Sequence, residues 1–87
     1  MKELNLTLEN AEGLHARPAA ILAKVAGQFA SKVEIKAKGQ QKNAKSIMGL
    51  MALGLEKGDA IQIVADGADE GAALDKIADL IRGGFQE

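Results

Sequence analysis

The chain has 87 residues, and its eleven basic and twelve acidic side chains give a net charge of −1 at pH 7. This length suits a single domain covering residues 1–87, and the near-neutral charge argues against nucleic acid or an anionic membrane as a partner. The absence of cysteine excludes disulfides and thiolate chemistry, and the single histidine argues against a zinc site. We expect no metal and no organic cofactor.

The N-terminal segment has the pattern of a strand with one buried face. Leu4, Leu6 and Leu8 alternate there with polar residues. No apolar run reaches the length of a signal peptide core or a membrane span, so we expect a cytoplasmic protein that does not insert into membranes.

The first predicted helix follows a break at Gly13. Pro18 lies where a helix tolerates proline, in its first turn, and Gly27 is placed to help end the helix. The i, i+3, i+4, i+7 spacing predicts a core-facing stripe formed by Leu22, Val25, Ala26 and Phe29.

The rest of the chain alternates between strand and helix patterns. Residues 32–38 predict a second strand, Gly39-Gln40 a turn, and residues 41–44 a short third strand. Residues 46–53 predict a short helix and residues 61–65 a fourth strand. A last helix begins near Asp69 and ends at Gly83-Gly84, and its apolar stripe consists of Leu74, Ile77, Ala78 and Ile81.

This order predicts an α+β fold of the open-faced β-sandwich type. Four strands form one antiparallel sheet, and three helices cover one of its faces in the chain order βαββαβα.

The only histidine, His15, lies two residues before Arg17, where the first helix begins. A neutral imidazole is a nucleophile that can accept a phosphoryl group near pH 7. Ala16 and Pro18 mark the helix start, where free backbone N–H groups of the non-proline residues and the positive dipole end favour an anion. Arg17 can bind phosphate oxygens in a bidentate way. These residues predict a phosphoryl-accepting site, with an ordinary surface histidine as the alternative.

The short helix at 47–53 has no polar side chain. Leu50 and Leu53 suffice to dock it, which leaves Ile47, Met48 and Met51 as a predicted exposed apolar patch for partners. Simple core packing is the alternative interpretation of this pattern.

The first helix also carries residues outside its core stripe. Ala20 and Ile21 follow His15 and Arg17 by about one turn, so an exposed Ile21 would give a docking contact beside the reactive nitrogen. The alternative is an ordinary single exposed aliphatic side chain. Lys24, on the polar side of the same helix, completes the predicted partner surface.

Ser46 precedes the apolar helix and is predicted to cap its N-terminus. The functional alternative is a phosphorylation site, where a modification of about −2 charge at a helix start would change partner binding at the neighbouring patch.

Two segments resemble the signatures of a known family. Gly13–Ala20 reads GLHARPAA and Asn43–Met51 reads NAKSIMGLM, and together they are similar to the active-site and regulatory-serine motifs of HPr. HPr proteins are the histidine-containing phosphocarriers of the bacterial phosphoenolpyruvate-dependent sugar phosphotransferase system. The resemblance covers essentially the whole chain.

The resemblance implies a carrier within a relay rather than a stand-alone enzyme. His15 would be phosphorylated on Nδ1 by enzyme I and would pass the group to sugar-specific enzyme IIA domains, with assistance from Arg17. Ser46 would be modified by an HPr kinase/phosphorylase in bacteria that have one. The partner surface would lie around the start of the first helix and along the second helix.

Three alternatives belong to other functional classes. A regulatory protein would contact a catabolite-control transcription regulator through phosphorylated Ser46. A specialised phosphodonor would serve a dihydroxyacetone kinase or be a carrier domain of a fused phosphotransferase, although the ends of the chain favour a free-standing protein. A small structural or ligand-binding module would carry an incidental histidine. We expect a monomer, because the apolar patch is small and must stay available.

Overall fold

Seven elements form a sheet and its helical cover in the computed structural model, which describes residues 1–86. The strands are antiparallel and lie in the order β1-β4-β2-β3, which confirms the predicted fold. The elements are β1 Lys2–Thr7, α1 Ala16–Ala26, β2 Lys32–Ala37, β3 Gln40–Asn43, α2 Ile47–Ala52, β4 Ala60–Asp66 and α3 Glu70–Arg82.

The strand register brings the alternating apolar residues onto the helix-covered face. Ile63 in β4 is paired with Leu4 in β1 on one side and with Ile35 in β2 on the other. Ile35 and Ile63 are fully buried, whereas Leu4, on an edge strand, is only partly buried. The two-residue period that predicted the strands therefore also selects the face that packs on the helices.

The hairpin between β2 and β3 turns one residue earlier than predicted. Ala37 pairs with Gln40, so the two turn residues are Lys38 and Gly39 rather than Gly39 and Gln40. Both turn residues have positive φ, 53° and 74°, as a two-residue hairpin turn with the twist of the flanking strands requires. The Lys38 ammonium donates to the Gly54 carbonyl oxygen at 2.9 Å, which ties this turn to the chain after α2.

Helix α1 ends at Ala26, and Phe29 lies beyond it rather than within the helical stripe. The Gln28 N–H donates to Val25 O at 3.1 Å and the Phe29 N–H to Ala26 O at 3.2 Å, so the last turn is tightened after Gly27. Leu22 and Val25 are buried as predicted, and Phe29 packs against the core while remaining partly exposed.

Helix α2 is short and docks through few residues. Leu50 and Leu53 are buried, which confirms them as the anchors, and the Ser46 hydroxyl oxygen accepts the Gly49 N–H at 3.1 Å, which confirms the predicted cap. Residues 1–86 contain no helix with the length and apolar character needed to cross a membrane.

Candidate functional site

The loop before α1 is pressed against the loop after α2 at Gly13. Gly13 has a φ of +62°, and a Cβ there would lie 2.4 Å from the Leu55 carbonyl oxygen and 2.7 Å from the Glu56 Cα. The next residue, Leu14, is buried and donates its N–H to Leu55 O at 3.0 Å. Only glycine fits this close approach, which brings His15 beside Glu56.

His15 is the N-cap residue of α1, but its side chain does not cap the helix. The ring points outward, with 61% of the side chain exposed, and its Nε2 lies 3.3 Å from Oε1 of Glu56. The first intrahelical bond runs from the Ala19 N–H to the His15 carbonyl oxygen. The N–H groups of Ala16 and Arg17 therefore precede the helical ladder, and Pro18 has none to offer.

The guanidinium of Arg17 is bound by Glu12. Its Nε donates to Glu12 Oε2 at 3.3 Å, and its Nη2 donates to Oε1. The hydrogen bond from Arg17 lowers the pKa of Glu12, and the charge of nearby His15 acts in the same direction. Glu12 in turn raises the pKa of Arg17. The arginine fork already binds one carboxylate, a group whose paired oxygens resemble those of a phosphate.

Glu12 and Glu56 are the site residues that sequence reasoning missed. Glu12 precedes Arg17 by five residues in a loop, where helical spacing gives no signal. Glu56 is separated from His15 by 41 residues, and nothing in its local pattern points to the histidine. Only the contact between the two loops at Gly13 brings it there.

Helix α2 approaches the histidine from one side. Leu14, His15, Ala16, Met51, Gly54 and Glu56 line one shallow depression, so Met51 and the imidazole share a surface. Ile47, Met48 and Met51 are exposed by 44%, 83% and 45%. The prediction that these side chains would be exposed is confirmed, while their role as a partner surface stays a prediction.

The α1 part of the predicted partner surface is mixed. Ala20 and Lys24 are exposed. Ile21 is partly buried and packs against the core, so it presents less apolar surface than expected. The reason is its place in the helix, between the outward face and the core stripe of Leu22 and Val25.

Ser46 lies at the other end of the exposed patch. Ser46 is partly buried, and its hydroxyl oxygen accepts the Gly49 N–H in the first turn of α2. The neighbouring Lys45 ammonium donates to the Phe29 carbonyl oxygen at 2.9 Å, which ties this corner to the chain after α1. Ser46 therefore adjoins Ile47, which is the first residue of α2 and of the exposed patch.

Comparison with known proteins gives one family and several close structures. A family model described as "PTS HPr component phosphorylation site" matches residues 2–83. The structure of HPr-C-His from Thermoanaerobacter tengcongensis has 41% sequence identity and a TM-score of 0.95, covering 100% of this chain and 98% of that one. The histidine-containing phosphocarrier protein of Mycoplasma has 38% identity and a TM-score of 0.90, with 99% of each chain covered.

A third similar structure carries a different description. Crh, the catabolite repression protein of Bacillus subtilis, has 37% identity and a TM-score of 0.77, with 100% of each chain covered. Its structure is described as a dimer formed by a swapped domain.

Proposed function

The chain belongs to the HPr family of phosphotransferase-system carriers, as its two signatures predicted, and from this premise we propose that His15 accepts a phosphoryl group from phospho-enzyme I. It then passes the group to sugar-specific enzyme IIA domains. The observation that carries the proposal is the exposed His15 ring at the start of α1, beside an arginine. A carrier needs this exposure because donor and acceptor must reach the same nitrogen in turn.

Each transfer forms or breaks one covalent bond on the carrier, between His15 Nδ1 and phosphorus. The lone pair of His15 Nδ1 attacks phosphorus, and the bond from phosphorus to enzyme I breaks with its electron pair leaving to the donor. In the second transfer the acceptor on the enzyme IIA domain attacks, and the pair of the N–P bond returns to Nδ1. Atoms and charge balance without any other reactant on this chain.

The start of α1 and Arg17 supply the electrostatic part. The N–H groups of Ala16 and Arg17 and the positive end of the helix dipole favour an anion beside His15. The Arg17 guanidinium can spread the phosphoryl charge over two donors once it leaves Glu12. Because all these groups lie at the surface, they stabilise the phosphoryl group without burying it.

The exposed side chains of Ile47, Met48 and Met51 form the proposed docking surface for enzyme I and enzyme IIA, together with Ala20, Ile21 and Lys24. Met51 supports this assignment because it shares a depression with His15. Flexible methionine side chains suit a surface that must fit several partners. Docking there leaves the imidazole facing the partner's reactive group.

A reconstituted relay tests the proposal. Enzyme I, phosphoenolpyruvate, Mg²⁺ and an enzyme IIA domain are incubated with and without this protein, and the phosphoryl content of the IIA domain is measured. We expect the IIA domain to be phosphorylated only when the protein is present. A IIA domain that stays unmodified, with an enzyme I that phosphorylates a known carrier, overturns the proposal.

A second function is favoured by Ser46 and by the similarity to Crh. Phosphorylation of Ser46 by an HPr kinase/phosphorylase would place a dianion beside the docking surface, weakening enzyme I binding and creating a site for a catabolite-control transcription regulator. Incubation with that kinase and ATP should add one phosphoryl group to the wild type and none to Ser46→Ala. Equal modification of both proteins, or of neither, contradicts this assignment.

We further propose that the working form is a cytoplasmic monomer, since pairing through Ile47, Met48 and Met51 would cover the docking surface. Family membership supports the location. Because Crh is described as a swapped dimer, the molar mass in solution is the relevant test. A concentration-independent mass of one chain is expected, and a stable dimer contradicts this form.

A further inference from the structure

We propose that Glu56 is a positioning residue for His15, whose carboxylate accepts the Nε2–H and so keeps the lone pair on Nδ1. This inference rests on the proposed carrier function, and it assigns a role to a residue outside both signature segments. Its starting observation is the distance of 3.3 Å between His15 Nε2 and Glu56 Oε1.

The backbone that carries Glu56 is fixed on several sides. Its N–H donates to Asp59 Oδ2 at 2.8 Å, and the Asp59 N–H returns a bond to the Glu56 carbonyl oxygen at 3.1 Å. The Glu56 N–H is also the largest cause of the lowered pKa of Asp59, whose carboxylate has a second partner in Lys38 at 3.4 Å. The Gly13 contact closes the other side of this loop.

A carboxylate selects between the two neutral forms of imidazole. Ionised Glu56 can only accept hydrogen bonds, so the ring nitrogen that faces it must carry the proton. That nitrogen is Nε2, and the remaining nitrogen, Nδ1, then has an available lone pair. Within residues 1–86, no protein group forms a hydrogen bond with Nδ1, so this nitrogen is open to phosphorus.

The same contact supports the transfer step. When Nδ1 forms its bond to phosphorus, the ring gains positive charge because Nε2 keeps its proton. The Glu56 carboxylate stabilises that charge through the hydrogen bond it already makes, and no proton has to move. When the phosphoryl group departs, the electron pair of the N–P bond returns to Nδ1 and the ring is neutral again.

The two carboxylates beside His15 therefore differ in their tasks. Glu12 makes its side-chain hydrogen bonds to the Arg17 guanidinium, whereas Glu56 contacts the imidazole ring itself. Removing the charge of Glu56 should change the tautomer ratio of the His15 ring without breaking the ion pair between Arg17 and Glu12. This difference separates the proposal from a general effect of negative charge.

The direct test is ¹⁵N NMR of the His15 ring in the unphosphorylated protein, at a pH where the imidazole is neutral. The variant Glu56→Gln keeps the size of the side chain and removes its charge, and Asp75→Asn, on the exposed face of α3, is the matched control. We expect the ratio of Nε2–H to Nδ1–H forms to fall about threefold in Glu56→Gln, the size typical of an exposed charged contact. It should not change in Asp75→Asn.

The second readout is the kinetics of phosphoryl transfer from phospho-enzyme I. Glu56→Gln should lower kcat about threefold and leave KM nearly unchanged, since the docking surface is intact. A change confined to KM would indicate docking instead and would overturn the proposal.

Different results would overturn the role of Glu56 and the carrier function. A tautomer ratio that is equal in wild type and Glu56→Gln, in a protein that carries phosphoryl groups normally, overturns only the role of Glu56. A wild-type protein that is never phosphorylated overturns the carrier function. The NMR ratio still reports the contact between His15 and Glu56 in that case.

Discussion

Glu12 binds Arg17 through both of its carboxylate oxygens, from the loop that precedes α1. The proposed transfer reaction needs the same guanidinium donors for phosphate, so Glu12 and an incoming phosphoryl group compete for Arg17. The hydrogen bond from Arg17 lowers the pKa of Glu12 below its ordinary value of 4.5, so the carboxylate is ionised, and competes for Arg17, at neutral pH.

The variant Glu12→Gln should accept phosphoryl groups faster than the wild type. Without the charged partner, Arg17 is free to bind phosphate, and exposed ion pairs of this kind correspond to about a two- to fivefold effect. The initial rate of phosphorylation by enzyme I measures it. Glu9→Gln, an exposed carboxylate in the same loop, is the control, and a slower Glu12→Gln would contradict the competition.

Gly13→Ala should destabilise the protein strongly, because the residue has positive φ and its Cβ would meet the backbone of Leu55 and Glu56. Backbone strain alone costs about 1–3 kcal/mol, and the loop must also move. Gly39→Ala is the matched control, since Gly39 has a φ of +74° with no atom within 4 Å of its Cβ position. Urea unfolding should show the larger loss for Gly13→Ala, and equal losses would disprove the role of the close approach.

Asp69 should contribute to stability at neutral pH and lose that contribution in acid. The Ser31 hydroxyl, followed by the Ala30 N–H, lowers the pKa of Asp69 below its ordinary value of 3.8. A carboxyl group whose pKa is lower in the folded state stabilises the fold above its unfolded pKa. The stabilisation is lost as the pH falls through the lowered value.

The corresponding measurement is urea unfolding of wild type and Asp69→Asn as a function of pH. The variant should be less stable than the wild type near pH 7, and the difference should shrink below about pH 4. Asp75→Asn, an exposed change on the same helix α3, should follow the wild type throughout. A difference for Asp69→Asn that is constant with pH would refute the electrostatic origin.

Substitutions at Met48 and Leu50, in the same short helix, should affect docking and folding respectively. Met48 is 83% exposed, so Met48→Ala should change the free energy of unfolding by less than about 0.5 kcal/mol. It should nevertheless weaken binding to enzyme I in calorimetric titrations. Leu50 is fully buried, and Leu50→Ala should cost about 2–5 kcal/mol of stability. Unchanged enzyme I affinity for Met48→Ala would remove this residue from the docking surface.

Much of the fold follows from local pattern, because strand alternation and helical stripes both report which side chains face the core. Leu50 and Leu53 could be identified as anchors in this way. Phe85 could not, since Gly83-Gly84 indicated only a helix end. The chain instead turns back through Gly84 and Phe85, both with positive φ, and Phe85 is fully buried.

Local sequence likewise predicts some residues of the site and not others. His15 and Arg17 are near each other in sequence, so their chemistry could be inferred from spacing and from the helix start. Glu56 comes to His15 only through the packing of two loops, and its contact depends on the tertiary position of the Gly13 backbone. No period or motif contains that information.

Intact-mass spectrometry at neutral to alkaline pH tests most directly whether His15 carries the phosphoryl group. Wild type and His15→Ala are incubated with enzyme I, Mg²⁺ and phosphoenolpyruvate. We expect one added phosphoryl group on the wild type, lost on acid treatment, and none on a folded His15→Ala. An unmodified wild type with competent enzyme I, or equal modification of the variant, would contradict the claim.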